Sequence, residues 1–256
     1  MTSFEYGGTV VRVPDHWGEL TLGDYEEAMS LPRATLRERV AVVARLCGTE
    51  AATLLTWPAE AFAMVAEHLS FVWGDFETPP SPRARIGGLE CFVNTQDALT
   101  LGEWVDVEQV QREGSHPIAR ILAIVCRPAG EQYDSARNAE RAALFSATPV
   151  AEVQGVLAFF FALVAKIRED FRPVFAGAGG GELCAPQYAA FAGRWGWYQI
   201  IDELAEHRLL DFDRVAALPA AAVFTHLLYG RERRAAEKAQ QALERALAKQ
   251  RGHADS

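Results

Sequence analysis

Apolar side chains recur every three to four positions over most of this chain, the period of a helix with one buried stripe. Leu36, Val40, Val43, Leu46 and Cys47 show it over residues 34–47, and Gly48 follows as a helix stop. Residues 58–73 begin with Pro58, which suits a first helical turn, and continue with Phe62, Val65, Ala66, Leu69 and Val72. The same period predicts helices over 21–31, 100–111, 117–127 and 136–145, the first and third ended by Pro32 and Pro128. Residues 150–171 form the most apolar helix of the chain. An aromatic-rich helix covers 186–207, a short helix or turn covers 212–218, and one long helix covers 219–250 with Gly230 as a point of bending.

Alternation with period two is rare. Residues 5–14 (EYGGTVVRVP) read as one short strand. In residues 86–94 (IGGLECFVN), Leu89, Cys91 and Val93 alternate with Glu90, Phe92 and Asn94, a second strand and a candidate partner for the first. Residues 78–85 (TPPSPRAR) and 177–181 (GAGGG) read as breaks, the latter as a flexible hinge. The expected class is mainly α, an α+β chain with a small two- or three-stranded element in its N-terminal half and a bundle-like architecture. The expected division is an N-terminal domain over 1–175 and a C-terminal helical region over 184–256.

One stretch occurs twice, LTLGDYEEA at 20–28 and LTLGEWVDV at 99–107. Thr100 and Glu103 have the spacing of a capping box, in which the hydroxyl and the carboxylate each satisfy a backbone N–H at a helix start. Leu99 and Trp104 occupy the two positions of a hydrophobic staple. Thr21, Asp24, Leu20 and Tyr25 repeat the pattern with a shorter acid, and both acids suit the positive end of the helix dipole. The repeat is explained as one helix start made twice. The flanking residues share only acid and apolar spacing, and no period recurs further along, so a solenoid is not expected.

Charge and composition narrow the function classes. The chain has 256 residues, half of them hydrophobic, and a formal charge of −9. An acidic body repels phosphate backbones, which disfavours nucleic-acid binding. The longest unbroken apolar run, residues 155–165, is shorter than the roughly 20 residues a membrane helix needs, so a buried core helix is expected there. The N-terminal residues lack the pattern of a signal peptide.

The chemistry-bearing residues make no recognisable constellation. Cys47, Cys91, Cys126 and Cys184 lie far apart in sequence, with no C-x-x-C pair, and read as buried small hydrophobes. No histidine pair has metal-binding helical spacing; His68 and His226 read as half-buried helix residues. No serine sits in G-x-S-x-G, and GAGGGE lacks the Lys-Ser/Thr of a phosphate loop. Acid pairs such as Glu26–Glu27, Glu131–Asp134 and Asp211–Asp213 read as solvated faces or caps. No catalytic, metal or cofactor residue is assigned.

Two features suit protein binding. Trp195, Trp197 and Tyr198 crowd four positions and cannot all share one face of a helix. Exposed Trp and Tyr are common interface anchors. The last helix carries seven basic and three acidic side chains between residues 230 and 252, Arg231, Arg233 and Arg234 among them. Ala236, Ala239, Leu243 and Ala246 lie on an a/d-like seam. This tail can dock on its own acidic body, join a homo-oligomer or grip an acidic partner.

The order of landmarks also carries a resemblance. VRVPDHWGELTLGDYEEAMSL leads to RVAVVARLCG and LSFVWGDF, then to IGGLECFVNTQDALTLGEWVDVEQV and ARILAIVCRPAGEQYD, and the chain closes with RWGWYQIIDELA, DFDRVAALPAAAVFTHLLY and a charged helix. This order resembles the tail assembly chaperones of bacteriophages and prophages. The resemblance implies a non-enzymatic protein of the bacterial host cytoplasm, without cofactors. Its implied partner is the tape measure protein or another tail protein, whose apolar helices it keeps soluble in a helix-in-groove mode. A virion structural or adaptor protein of the tail or neck is the alternative reading, and an enzyme of unrecognised type a further one.

Overall fold

The computed structural model describes residues 1–74, 76, 78–93, 99–114, 117–175 and 186–254. Contacts divide the chain into two units, Met1–Thr95 with Glu103–Leu163, and Gln96–Gly102 with Val164–Ser256. The division falls inside two helices, Leu101–Glu113 and Val150–Asp170; the glycine run expected as a hinge lies outside the described residues.

Both predicted strands are hairpins. β1 (Thr2–Tyr6) pairs antiparallel with β2 (Thr9–Val13), with Tyr6 opposite Thr9. β3 (Arg83–Ile86) pairs with β4 (Leu89–Val93), with Ile86 opposite Leu89, and β5 (Cys126–Arg127) adds to β4. The two sheets are separate, so the expected pairing between the two sequence strands is not made. Each hairpin turns through two glycines at positive φ, Gly7 and Gly8 at 60° and 76°, Gly87 and Gly88 at 55° and 84°. Such a two-residue turn follows the strand twist and is strained for side chains with a Cβ. β3 also occupies part of the stretch read as a proline-rich break.

The helices follow the apolar periodicity closely. They are α1 (Leu22–Ser30), α2 (Leu36–Leu46), α3 (Ala51–Leu55), α4 (Ala59–His68), α5 (Leu101–Glu113) and α6 (Pro117–Val125). After them come α7 (Asn138–Ser146), α8 (Val150–Asp170), α9 (Arg172–Phe175), α10 (Pro186–Leu204), α11 (Phe212–Ala216) and α12 (Ala220–Ala254). The chain is mainly α with two small antiparallel sheets. A full capping box forms at Thr35 and Glu38 before α2: the Thr35 hydroxyl accepts from the Glu38 N–H at 3.2 Å, and the carboxylate accepts from the Thr35 N–H at 2.8 Å. That second bond holds the Glu38 carboxyl below its ordinary pKa.

In the first unit, β2, α1, α2 and α4 close around Trp17, whose ring meets Tyr25, Phe71 and Phe76 edge-on at centroid distances of 5.5, 5.3 and 5.4 Å. Val40, Val43 and Leu46 of α2 enter this core, whereas Leu36 is exposed. The α8 helix is long and apolar enough to cross a membrane by length and composition, and half of its most apolar window is buried within the chain.

Replacing Trp17 by alanine empties the centre of this core and is expected to cost about 3–5 kcal/mol of stability. Leu36→Ala, at an exposed helix start, is expected to change it by less than about 0.5 kcal/mol. Urea unfolding of the two variants checks the contrast.

Candidate protein interface

The repeated stretch does more than cap a helix. At its first occurrence the Thr21 hydroxyl accepts from the Asp24 N–H at 3.1 Å and donates to the Asp24 carboxylate at 2.6 Å. That carboxylate also meets Arg45 at 2.8 Å. Asp24 thus bonds the hydroxyl instead of reaching back to the Thr21 N–H, and half of the expected box is made. At the second occurrence Glu103 is fully buried and paired with the Arg127 guanidinium.

Each copy then docks on a later proline. The Leu22 N–H donates to the Thr148 carbonyl and the Val150 N–H to the Leu20 carbonyl, both at 2.8 Å, so Thr21 faces Pro149 in an isolated antiparallel bridge. The Leu101 N–H donates to the Leu218 carbonyl and the Ala220 N–H to the Leu99 carbonyl, again at 2.8 Å, with Thr100 facing Pro219. Leu20, Leu22, Leu99 and Leu101 are buried. The glycine of each copy lies against the end of the helix before the proline. A Cβ on Gly23 would sit 2.4 Å from the Ser146 hydroxyl and 3.2 Å from its carbonyl; one on Gly102 would sit 3.4 Å from the Ala216 carbonyl.

The proline corner itself is built three times among the described residues: α3 to α4 at Pro58, α7 to α8 at Pro149, and α11 to α12 at Pro219. In each, the N–H just before the proline donates to the carbonyl three residues back: Trp57 to Leu54 at 3.2 Å, Thr148 to Phe145 at 3.1 Å, Leu218 to Val215 at 3.1 Å. One helix earlier, α2, α6 and α10 end in VVARLC at 42–47, ILAIVC at 121–126 and IIDELA at 200–205, spaced 79 residues apart. The two glycine hairpins precede the first two of these helices at a similar interval. A pattern of helix and corner therefore recurs, although the corners at Pro58, Pro149 and Pro219 are not evenly spaced. The signal that could have found it is an apolar residue four before a proline that opens a helix, repeated behind a common apolar helix.

The residues expected to bind a partner are placed differently from one another. The α10 helix breaks at Gly196 (φ 18°, ψ −102°). Trp197 is half-buried, with its ring 5.9 Å from that of Phe224 in α12. Trp195 and Tyr198 are exposed and stack 5.4 Å apart, Tyr198 also meets Phe212 at 5.3 Å, and the Arg194 guanidinium lies 5.1 Å over the Trp195 ring. Arg231 donates to the Pro173 carbonyl at the start of α9, which ties it into the fold. Arg233 pairs with Glu237 one turn on at 3.3 Å, and Arg234 is exposed on the same helix. Every residue from 231 to 248 is exposed, Leu243 and Leu247 included.

Other groups serve the fold. Glu26, read as part of a solvated face or a cap, is buried and caps α6 by accepting from the N–H groups of Ile118 and Ala119. Glu131 accepts from Arg141, an almost buried guanidinium that also donates to the Ala123 carbonyl. His68 is half-buried against Asp15 at 2.7 Å, while His226 is exposed. Cys91 and Cys126, far apart in sequence, are neighbours across β4 and β5; the Cys91 contact and burial push the Cys126 thiol up. A cleft of about 460 Å³ is lined by Asp106, Glu113, Arg120 and Asn138 among others. Its charges are already partnered: Arg120 meets Glu113 at 2.6 Å, and the Tyr133 hydroxyl bonds both Asp106 and Asn138. Among the described residues no group of three or more His, Cys, Asp or Glu side chains could hold a metal ion. No family model, curated protein or solved structure matches the chain.

The two glycines respond differently to a methyl group. Gly23→Ala is expected to cost about 1–3 kcal/mol by overpacking against Ser146, with part of the loss recovered in the Ser146→Ala background. Gly102→Ala fits at ordinary contact distance and adds helix propensity, so its effect is expected to lie between neutral and about 1 kcal/mol stabilising. Thermal melts of these four variants and the unaltered chain check this.

Proposed function

We propose that this chain is a non-enzymatic binding protein of the tail assembly chaperone kind, which holds apolar helical segments of a tape measure protein. The observation that carries this reading is the free length of α12. An isolated helix is marginal in water, and helices in proteins are stabilised mainly by burying an apolar face. Residues 231–248 bury no such face in this chain, yet Leu243 and Leu247 continue the seam of Ala236, Ala239 and Ala246. Pairs along the helix, Arg233 with Glu237 and Gln240 with Glu244, contribute only tenths of a kcal/mol each. A partner helix laid along the seam supplies the missing burial, and small alanines permit close approach at modest cost on release. The stacked, exposed Trp195 and Tyr198 add a second apolar foothold. The landmark order that resembles tail assembly chaperones names the client.

A permanent helix–helix joint would use the same seam, which favours a virion adaptor as the second reading. Stoichiometric presence in purified particles supports the adaptor; absence from them supports the chaperone.

Co-expression with a tape measure protein is expected to raise that protein's soluble fraction several-fold. The double variant Leu243→Glu/Leu247→Glu is expected to lose most of the gain while keeping its own melting temperature. An unchanged soluble fraction with the unaltered chain would overturn the proposal.

A further inference from the structure

Of the three proline corners, the one at Pro58 holds no docked segment. At Pro149 and Pro219 the carbonyl before the proline and the N–H after it are both bonded to a Leu-Thr-Leu-Gly stretch. The matching groups at Pro58 are the Trp57 carbonyl and the Ala59 N–H, and among the described residues neither is bonded to another backbone group. The Trp57 indole N–H, on a side chain that is itself buried, is also without a hydrogen-bond partner. The difference continues along the helix. Val150, Val153 and Gln154 are buried, as are Ala220, Val223 and Phe224 at the third corner. The corresponding Ala59 and Ala63 are exposed and Phe62 is half-buried, with Leu55 and Met64 exposed beside them at 47% and 59%. One face of α4 is therefore bare where its two counterparts are covered.

We propose that the Pro58 corner binds an extended Leu-Thr-Leu-Gly segment of a partner polypeptide that runs directly into a capped helix. The Trp57 carbonyl receives the N–H of the residue after the threonine, and the Ala59 N–H donates to the carbonyl of the residue before it. The helix that follows covers Ala59, Phe62 and Ala63. Both filled corners in this chain define this occupant by its chemistry: two buried leucines, a threonine between them and a glycine against the end of the preceding helix. Leu55 stands where Ser146 and Ala216 stand at the filled corners, and its larger side chain favours a residue without one at the fourth position. Both stretches of this kind in the chain are already engaged, at Pro149 and Pro219, so the occupant comes from a different polypeptide. Such strand addition draws affinity from backbone bonds and specificity from the alternating side chains. The site is separate from the α12 seam and does not depend on the client proposed for it.

The test uses the full chain and a fluorescein-labelled peptide with the sequence of residues 99–113, read by fluorescence anisotropy. Saturable binding is expected. Ala59→Pro deletes the donor while leaving the helix start intact, since proline is favoured at a first helical position and Pro58 already has the extended backbone (ψ 152°) that precedes a proline. It is expected to weaken binding about tenfold, the worth of one well-made hydrogen bond near the upper end of its range. Ala63→Arg, on the bare face, is expected to weaken it similarly without touching the corner, and a peptide carrying Gly102→Val is expected not to bind. No binding at millimolar peptide would overturn the proposal. So would equal binding by both protein variants, which would place the peptide at the other corners by exchange. A concentration-dependent dimer that Ala59→Pro abolishes in light scattering would assign the edge to a second copy and overturn the partner proposed.

Discussion

Two backbone hydrogen bonds, one on either side of a proline, hold each Leu-Thr-Leu-Gly stretch to a distant corner of the chain. Much else follows from that joint. The proline cannot donate, so the partners are the carbonyl before it and the N–H after it, and these fix the register of the incoming strand. The threonine turns the strand into a helix within one residue. The glycine lets the helix start lie against the end of the preceding helix, and the leucines on either side are buried by the same approach. Side-chain capping, strand pairing and core packing thus act on the same four residues, a consistency across levels that favours one structure over its competitors.

The consequence for organisation is that packing does not follow chain order. The first helix of one segment is bonded to the corner of the next, and Glu26 of α1 satisfies the first N–H groups of α6, which belongs to the later segment. A buried carboxylate in that position is held in place by charge-assisted bonds at the positive end of a helix. Such bonds make each segment depend on its neighbour, in the manner of repeat proteins whose interfaces supply much of the stability.

Local physics was legible in the residues and distant pairing was not. Helices α1, α2, α5, α6, α8 and α12 lie close to where apolar spacing puts them, because period and caps are written within a dozen positions. The hairpins were misjudged as single strands although EYGGTV and RIGGLE both carry a Gly-Gly turn signal. A further capping box, at Thr35 and Glu38, has the same spacing as Thr100 and Glu103 and was equally readable. The corners escaped because the copies share spacing more than identity: Cys47 lies eleven residues before Pro58, Cys126 twenty-three before Pro149, and Ala205 fourteen before Pro219. Of the interface candidates, the spread of Trp195, Trp197 and Tyr198 over two faces was readable from helical geometry. The anchoring of Arg231 to Pro173 was not, since it depends on a contact 58 positions away.

The long reach of the joints also bears on how the chain matures on the ribosome. Leu22 waits for Thr148, 126 residues later, and Leu101 waits for Leu218, 117 residues later. At elongation rates of roughly 5–20 residues per second, that interval is on the order of ten seconds. During it the strand around Thr21 has no corner of its own to pair with, and the finished corner of another polypeptide can capture that strand before the chain's own corner is made.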